Sequence, residues 1–477
     1  MKERIILFTI IFGLAIFLYV FQSYFNTIWG LAFLCLCMAI YAGFANLAYN
    51  LKKRKLKKYP QIINEDYKPF ISVMIPAHNE ESVIANTVEN ILGMDYENFE
   101  VIVIDDRSTD NTASVIKDLE QKYDKVKALI REHGAFPGKS AVLNDAFKMA
   151  KGDAVLVFDA DATVDPDFLS KLVPQLEPKD VGAVQARKVI RNKNQNILTR
   201  CQNNEYTMDT YFQVSRDSVK GAVELRGNGE LIKREALEDI GGWNNYTIVD
   251  DLDMSTRLHI KGWDVRYCID AIVYEEGIAY LGPLYRQRRR WLEGTIRRYL
   301  EYSGAALTSK KMSLRARIDM MAYISEFIMP LWFLIEIVIR AFKVLAKDAS
   351  PHMLYSSIII GIAIGLGFFL AARYALRRYD FMPRPDAIFE ALETSIYLFI
   401  IWFPLVLFIG FKILFMKKDM NWGKTAHGLV QEEEASIKAF IKKELEKTKN
   451  YTKEYTEKLK QKLAEKGENN DRNFIKR

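Results

Sequence analysis

Residues 4 to 21 and 28 to 48 follow each other closely at the start of this chain, and together they carry one charged side chain, Arg4. About 20 apolar residues rising 1.5 Å each cross the hydrocarbon core of a bilayer, so residues 1–50 are expected to form a transmembrane hairpin. A removable signal peptide is disfavoured: the first run lacks a small-residue cleavage site, and a second run follows within a few residues. Next comes Leu51-Lys-Lys-Arg-Lys-Leu-Lys-Lys58. Dense Lys and Arg beside a span marks the cytosolic side, which puts the middle of the chain in the cytosol and gives residues 51–67, read as a basic linker, an attraction to anionic lipid.

With 477 residues there is room for a globular domain besides the membrane segments. The four cysteines, Cys35, Cys37, Cys201 and Cys268, form no CxxC, and the five histidines show no HxxxH or HExxH spacing. Neither a disulfide framework nor a zinc site is indicated, and any metal is expected to sit on oxygen. From 68 to 284 short β-rich runs alternate with amphipathic helical stretches, the pattern of an α/β domain with a mainly parallel sheet. Residues 70–76, 99–105, 126–130, 154–159 and 181–189 read as strands; 80–92, 109–123 and 139–150 read as helices. Ligands of such sheets bind at the carboxyl ends of the strands.

Residues 285–312 read as an interfacial helix. Leu292, Ile296, Tyr299 and Leu300 share one face while Arg288, Arg290, Arg297 and Arg298 lie largely elsewhere, which suits the headgroup layer. Within 313–416 three further apolar segments follow, at 320–343, 353–373 and 390–416. Five crossings would leave the Lys-rich tail, 417–477, outside, whereas its charge and Arg373, Arg377, Arg378 and Arg384 call for the cytosol. One segment is therefore expected to be re-entrant or interfacial, and the first, with Glu326 and Pro330, is the one expected. The tail carries an amphipathic stretch at Ile437, Phe440, Ile441 and Leu445, then charged sequence expected to be mobile.

Four clusters in the cytosolic part carry chemistry. Asp105-Asp106-Arg-Ser-Thr-Asp110 ends the second strand, where carboxylates can accept hydrogen bonds from a nucleotide's base and ribose, although Ser108 and Asp110 also suit a helix cap. Gly138-Lys139-Ser140 opens a helix, offering backbone N–H groups and an ammonium to phosphate without full Walker spacing. Asp159-Ala-Asp161 follows the buried run Val-Leu-Val-Phe, and paired hard oxygens there suit Mg2+ or Mn2+ on a diphosphate. Asp250-Asp251-Leu-Asp253 precedes an amphipathic helix; a spare carboxylate beside an acceptor hydroxyl serves as general base, while Asp253 suits a cap. Gln287-x-x-Arg290-Trp291 follows, with interfacial anchoring as the plain alternative for the tryptophan.

In that order, Pro76-Ala-His-Asn-Glu80, Asp105-Asp106, Lys139, Asp159-Ala-Asp161, Asp250-Asp251 and Gln287-x-x-Arg290-Trp291 resemble the motifs of membrane-bound family-2 glycosyltransferases of GT-A fold. The resemblance implies a Rossmann-like α/β catalytic domain beside a helical transmembrane bundle, and inverting transfer from a UDP-sugar. It implies Glu80, Asp105, Asp106, Lys139, Asp159 and Arg290 on the donor, Asp161 with Asp159 on Mg2+ or Mn2+, Asp251 as base, and Asp250, Gln287 and Trp291 toward the acceptor. Gly182–Lys188, Glu224–Gly229, Gly241–Asn244, Asp250–Asp253 and Trp422–His427 are similar to the β-monoglucosyldiacylglycerol synthases, which implies glucose transfer to diacylglycerol at the bilayer, with no nucleic-acid partner. Asp250-Asp251 stands where polysaccharide synthases more often carry Glu-Asp, yet Gln287-x-x-Arg290-Trp291 is shared with them. A processive β-polysaccharide synthase of the cellulose, hyaluronan or poly-N-acetylglucosamine type is thus the main alternative, and a non-catalytic nucleotide-binding membrane sensor the alternative of another class.

Overall fold

The computed structural model describes residues 2–21, 27–58, 64, 66–347 and 352–416; the tail, with the Trp422–His427 and Ile437–Leu445 stretches, lies outside the described residues. Two helices come first, α1 (Lys2–Phe21) and α2 (Ile28–Lys58). The α/β domain follows as β1 (Ile71–Ala77), α3 (Ile84–Leu92), β2 (Phe99–Asp105), α4 (Thr112–Lys122), β3 (Val126–Ile130), α5 (Lys139–Phe147), β4 (Ala154–Val157), β5 (Thr163–Val164) and α6 (Phe168–Leu172). It continues with β6 (Val181–Ile190), α7 (Ile197–Ser218), β7 (Glu230–Lys233), α8 (Arg234–Asp239), α9 (Asp250–Lys261) and β8 (Asp264–Glu275). Four long helices close the described chain: α10 (Leu281–Thr308), α11 (Leu314–Leu345), α12 (His352–Tyr379) and α13 (Arg384–Phe415).

The strands form one sheet in the order β3-β2-β1-β4-β7-β6-β8-β5. β1 and β2 are buried along their whole length because helices cover both faces. Val73, Ile75, Val101 and Val103 pack with α3 and α4 on one side, while Met74, Ile102 and Ile104 pack with α5 on the other. The expected α/β domain is present, but its sheet is mixed. β4 with β7, β7 with β6 and β5 with β8 run antiparallel. β5, β7 and β8 are absent from the strands read in the sequence: β5 and β7, with two and four residues, are too short to show a period, whereas the twelve-residue β8 went unread despite its length.

Two expected boundaries change. The basic run read as a linker forms the last turns of α2, which continues to Lys58 because Leu, Lys and Arg are good helix formers. The arginines of α10 do not face a headgroup layer: Arg288 pairs with Glu205 at 2.7 Å, Arg297 with Glu293 at 3.0 Å and Arg298 with Glu224 at 2.9 Å, all three buried. Their partners Glu205 and Glu224 lie far away in sequence, so a helical-wheel reading could not see them.

Among the described residues four helices, α1, α2, α12 and α13, are long and apolar enough to cross a membrane. α11, the segment expected to be re-entrant or interfacial, is not among these four; it is one continuous helix with Pro330 inside it. It leads away from the α/β domain: Asp319 near its start binds Arg216 at 2.7 Å, and Glu336 near its end accepts from Thr27, between α1 and α2. α13 instead meets α7 and α10. Glu393 pairs with Arg200 of α7 at 2.9 Å, and Lys412 pairs with Glu293 of α10 at 2.5 Å.

α10 approaches the segment before α9 so closely that a Cβ on Gly294 would lie 1.9 Å from Val249 Cγ2. Gly294→Ala is expected to cost about 1–3 kcal/mol by overpacking, lowering Tm in detergent, with Val249→Ala restoring most of the loss. An unchanged Tm in Gly294→Ala contradicts this packing.

Candidate active site

The parallel half of the sheet delivers its carboxyl ends to one side, and the polar loops gather there. Pro76 lies near the end of β1, His78 and Glu80 follow it, Asp159 and Asp161 follow β4, Lys139 opens α5, and Asp250 and Asp251 open α9. All of these line one cavity of about 1010 Å³, together with Gln287, Arg290 and Trp291 of α10. Asp105 and Asp106 do not line it. Asp106 is buried behind the wall, held by Arg107 at 2.8 Å and Arg131 at 2.6 Å. Asp105 accepts from Ser108 N, and its Oδ1 is a buried acceptor lacking a hydrogen bond among the described residues.

Lys139 Nζ reaches Asp159 Oδ1 at 2.6 Å and the Gly227 carbonyl at 2.8 Å. The cavity walls would raise the Asp159 carboxyl, but the ammonium beside it prevails and holds it below its ordinary value. Burial would lower Lys139, and the carboxylates of Asp159, Asp250 and Glu230 outweigh that and raise it. Lys139 therefore stays charged, facing the place where a diphosphate's negative charge would fall.

Asp251 behaves oppositely. Burial and the neighbouring Asp250 push its carboxyl up to about 6, although Leu252 N donates to its Oδ1 at 2.7 Å. The Gly227-Asn228-Gly229 loop presses on it from across the cavity: Gly227 has φ +76°, and a Cβ there would lie 3.1 Å from Asp251 Oδ2. Any other residue would be strained and would crowd the carboxylate. Asp253, expected to cap α9, is instead a buried residue inside the helix, bound to Arg257 at 2.6 Å and to the hydroxyl of Tyr302 at 2.8 Å.

Several lining residues carried no role in the sequence reading. Lys188, from β6, pairs with Glu275 at 2.9 Å and lies over the Tyr206 and Trp291 rings. Glu276 N donates to Asp161 Oδ2 at 3.2 Å, so the end of β8 backs the second aspartate. Among the described residues no three His, Cys, Asp or Glu side chains form a group able to hold an ion unaided. Two carboxylates, Asp159 and Asp161, suit Mg2+ or Mn2+ shared with a diphosphate, since such ions use one or two carboxylates together with substrate oxygens.

The cavity does not stop at the polar end. It continues between α11, α12 and α13 into a slot walled by Phe327, Phe333, Ile362, Phe368, Phe399 and Phe403. The strand and helix periods that located the polar motifs gave no sign of this slot, because its walls come from three helices far apart in sequence.

A family profile described as "Glycosyltransferase like family 2" matches residues 69–294. A β-monoglucosyldiacylglycerol synthase of Nostoc sp. is 35% identical over 367 residues, covering 75% of this chain and 76% of the relative. One from Synechocystis sp. is 32% identical over 405 residues, covering 82% of each. A poly-β-1,6-N-acetyl-D-glucosamine synthase of Staphylococcus aureus is 34% identical over 242 residues, covering 50% of this chain and 57% of the relative. Among solved structures, a mannosyltransferase from Pyrobaculum calidifontis in complex with GDP-Man and Mn2+ superposes with TM-score 0.54 at 21% identity, covering 77% of this chain and 99% of that one, a likeness of fold. On this similarity along most of its length, the chain belongs to the family-2 glycosyltransferases, hexose-transferring enzymes of GT-A fold.

Proposed function

We propose that the chain transfers glucose from UDP-glucose to 1,2-diacylglycerol, giving β-monoglucosyldiacylglycerol at the cytosolic face of a membrane. One observation carries the reading: the cavity holding Asp159, Asp161 and Asp251 is continuous with an apolar slot between helices. Diacylglycerol has one hydroxyl above two acyl chains, and the slot offers hydrocarbon walls beneath a carboxylate. A growing polysaccharide would place hydroxyls against those phenylalanines and leave them without hydrogen bonds, at a cost of a few kcal/mol per buried group. The relatives named as β-monoglucosyldiacylglycerol synthases support the same acceptor.

In this reading α1, α2, α11 and α12 cross the membrane, and α13 lies along it beneath the catalytic domain. The ion pairs at both its ends support that placement. Four crossings return the chain to the cytosol and resolve the conflict between an odd number of spans and a basic tail. The domain division follows, with the transmembrane hairpin before about residue 50, the catalytic domain over 68–284, and α10 joining it to the helices of 313–416.

The chemistry is a single displacement. Asp251 takes the acceptor's proton as its oxygen attacks the anomeric carbon from the side opposite UDP, so the product is a β-glycoside. Lys139 and Arg290 bring positive charge to the departing diphosphate, and Trp291 supplies a flat wall beside them. Asp161 with Asp159 would hold a divalent metal, which when bound would further neutralise the leaving group. In this reading Asp105 and Asp106 serve the uridine end of the donor, and the buried Oδ1 of Asp105, which accepts no hydrogen bond among the described residues, supports that place.

Because the base must be ionised, its loss follows protonation: kcat/KM is expected to fall as pH drops through about 6 and to level above it. Asp251→Asn should lower kcat about 100- to 10,000-fold while calorimetric UDP binding in Mn2+ persists. Near-normal turnover in that variant removes Asp251 from the role of base.

The acceptor is tested by thin-layer analysis of lipids made by the purified protein with diacylglycerol and a panel of UDP-sugars. Glucosyl-diacylglycerol is expected, and insoluble polymer in its place supports the polysaccharide alternative. Gly365 lines the slot with open space where a Cβ would stand. Gly365→Trp should therefore cut long-chain diacylglycerol use by roughly tenfold or more, the scale of lost apolar contact, with UDP binding intact. Unchanged acceptor use places the acyl chains elsewhere.

A further inference from the structure

A second pocket, of about 420 Å³, lies between the ends of α2 and α12, lined by Asn50, Lys53, Arg54, Lys57, Tyr374 and Arg378. Four of these six side chains are cationic and none is acidic. The floor is fixed by contacts between the helices: Asn46 donates to the Tyr374 hydroxyl at 3.1 Å, and Arg378 donates to Asn50 Oδ1 at 3.3 Å. Lys52, the next residue round α2, turns away to pair with Asp217 of α7 at 3.0 Å. The lysine that holds the catalytic domain is thus separate from the cations that face the pocket.

Below the pocket the same helices expose hydrocarbon. On α12, Leu366, Leu370, Tyr374 and Arg378 succeed one another at steps of four residues, and the two leucines are 55% and 50% exposed. On α2, Leu47 and Leu51 are 55% and 53% exposed, one turn before Arg54. Each face therefore passes from apolar to cationic within about a turn, the profile of a phospholipid standing upright against the protein. Basic pockets between helices at the cytosolic surface suit anionic headgroups.

We infer that this pocket binds the phosphate-bearing headgroup of an anionic phospholipid of the cytosolic leaflet, its acyl chains lying along Leu47, Leu51, Leu366 and Leu370. The inference rests on the reading that α2 and α12 cross the membrane; it does not depend on the identity of sugar or acceptor. A free phosphate would meet the same cations and make no use of the apolar flank, so the two sources separate by experiment.

The test uses the full chain in nanodiscs of phosphatidylcholine with a minor share of phosphatidylglycerol, with retained lipid read by native mass spectrometry after extraction. The wild type is expected to keep phosphatidylglycerol over phosphatidylcholine. Lys53→Gln, Arg54→Gln and Lys57→Gln together should reduce that preference roughly tenfold or more, and Lys53→Arg with Lys57→Arg should keep it. An unchanged Tm and size-exclusion profile of the glutamine variant in pure phosphatidylcholine certifies its fold. Equal retention of both lipids by the wild type, or undiminished preference in the glutamine variant, overturns the inference. So does complete displacement of phosphatidylglycerol by excess inorganic phosphate, which assigns the pocket to the free ion. Lipid retention is read without turnover, so failure of the glucosyl-transfer reading leaves this result intact.

Discussion

Buried ion pairs between the α/β domain and the apolar helices hold the two halves of the cavity in register. Glu205 of α7 accepts from Arg288 of α10 and from Tyr397 and Trp402 of α13. Arg216 binds Asp319 of α11 and Arg187 binds Asp380 after α12, both well covered, while the Arg200–Glu393 contact to α13 is partly exposed. Breaking a buried pair by removing one partner costs about 3–5 kcal/mol, so sliding the domain over its helices by one side chain would be expensive. The slot's phenylalanines and the Asp251 carboxylate belong to different elements. They form one cavity because α7 and α10 fix both.

The same arrangement explains the opposed behaviour of the cavity's carboxylates. Asp159 has Lys139 against it and is held below its ordinary value, whereas burial and the neighbouring Asp250 push Asp251 up. One fold thus prepares a carboxylate for cations and another for a proton. Glu230, buried below Asp250 and Asp251, is pushed well above the ordinary carboxyl range by burial and by their charge. The loop from Gly227 to Gly229 joins these groups, since its first carbonyl binds Lys139 and its first Cα faces Asp251.

Much of this was legible in the sequence, and for reasons specific to each residue. Asp159-Ala-Asp161, Gly138-Lys139 and Asp250-Asp251 sit at the junctions of strong periodic elements, so their place at strand ends or helix starts follows from the pattern itself. Gln287, Arg290 and Trp291 share one helix, and a helix carries its spacing with it. Asp105 and Asp106 show where that reasoning weakens: the strand end was located correctly, but only the partners Arg107 and Arg131 reveal that Asp106 is already engaged. Arg288 and Arg298 of α10 failed for the same reason, because their carboxylates come from α7 and the loop before β7. Lys188, Glu275 and the apolar slot depend on packing between distant segments, as do the ion pairs that α13 makes with Arg200 and Glu293, which a hydropathy reading does not register.

The central claim is that one cavity places a lipid's hydroxyl at Asp251 while its hydrocarbon lies between the helices. An electron cryomicroscopy map of the full chain in nanodiscs with UDP, Mn2+ and a non-reactive diacylglycerol analogue addresses it directly. The account predicts nucleotide density beside Lys139, Asp159 and Asp161, and forked acyl density between α11, α12 and α13 among Phe333, Phe368 and Phe399. Acyl density on the outer face of the helices, with an empty slot and no lipid oxygen near Asp251, would contradict it.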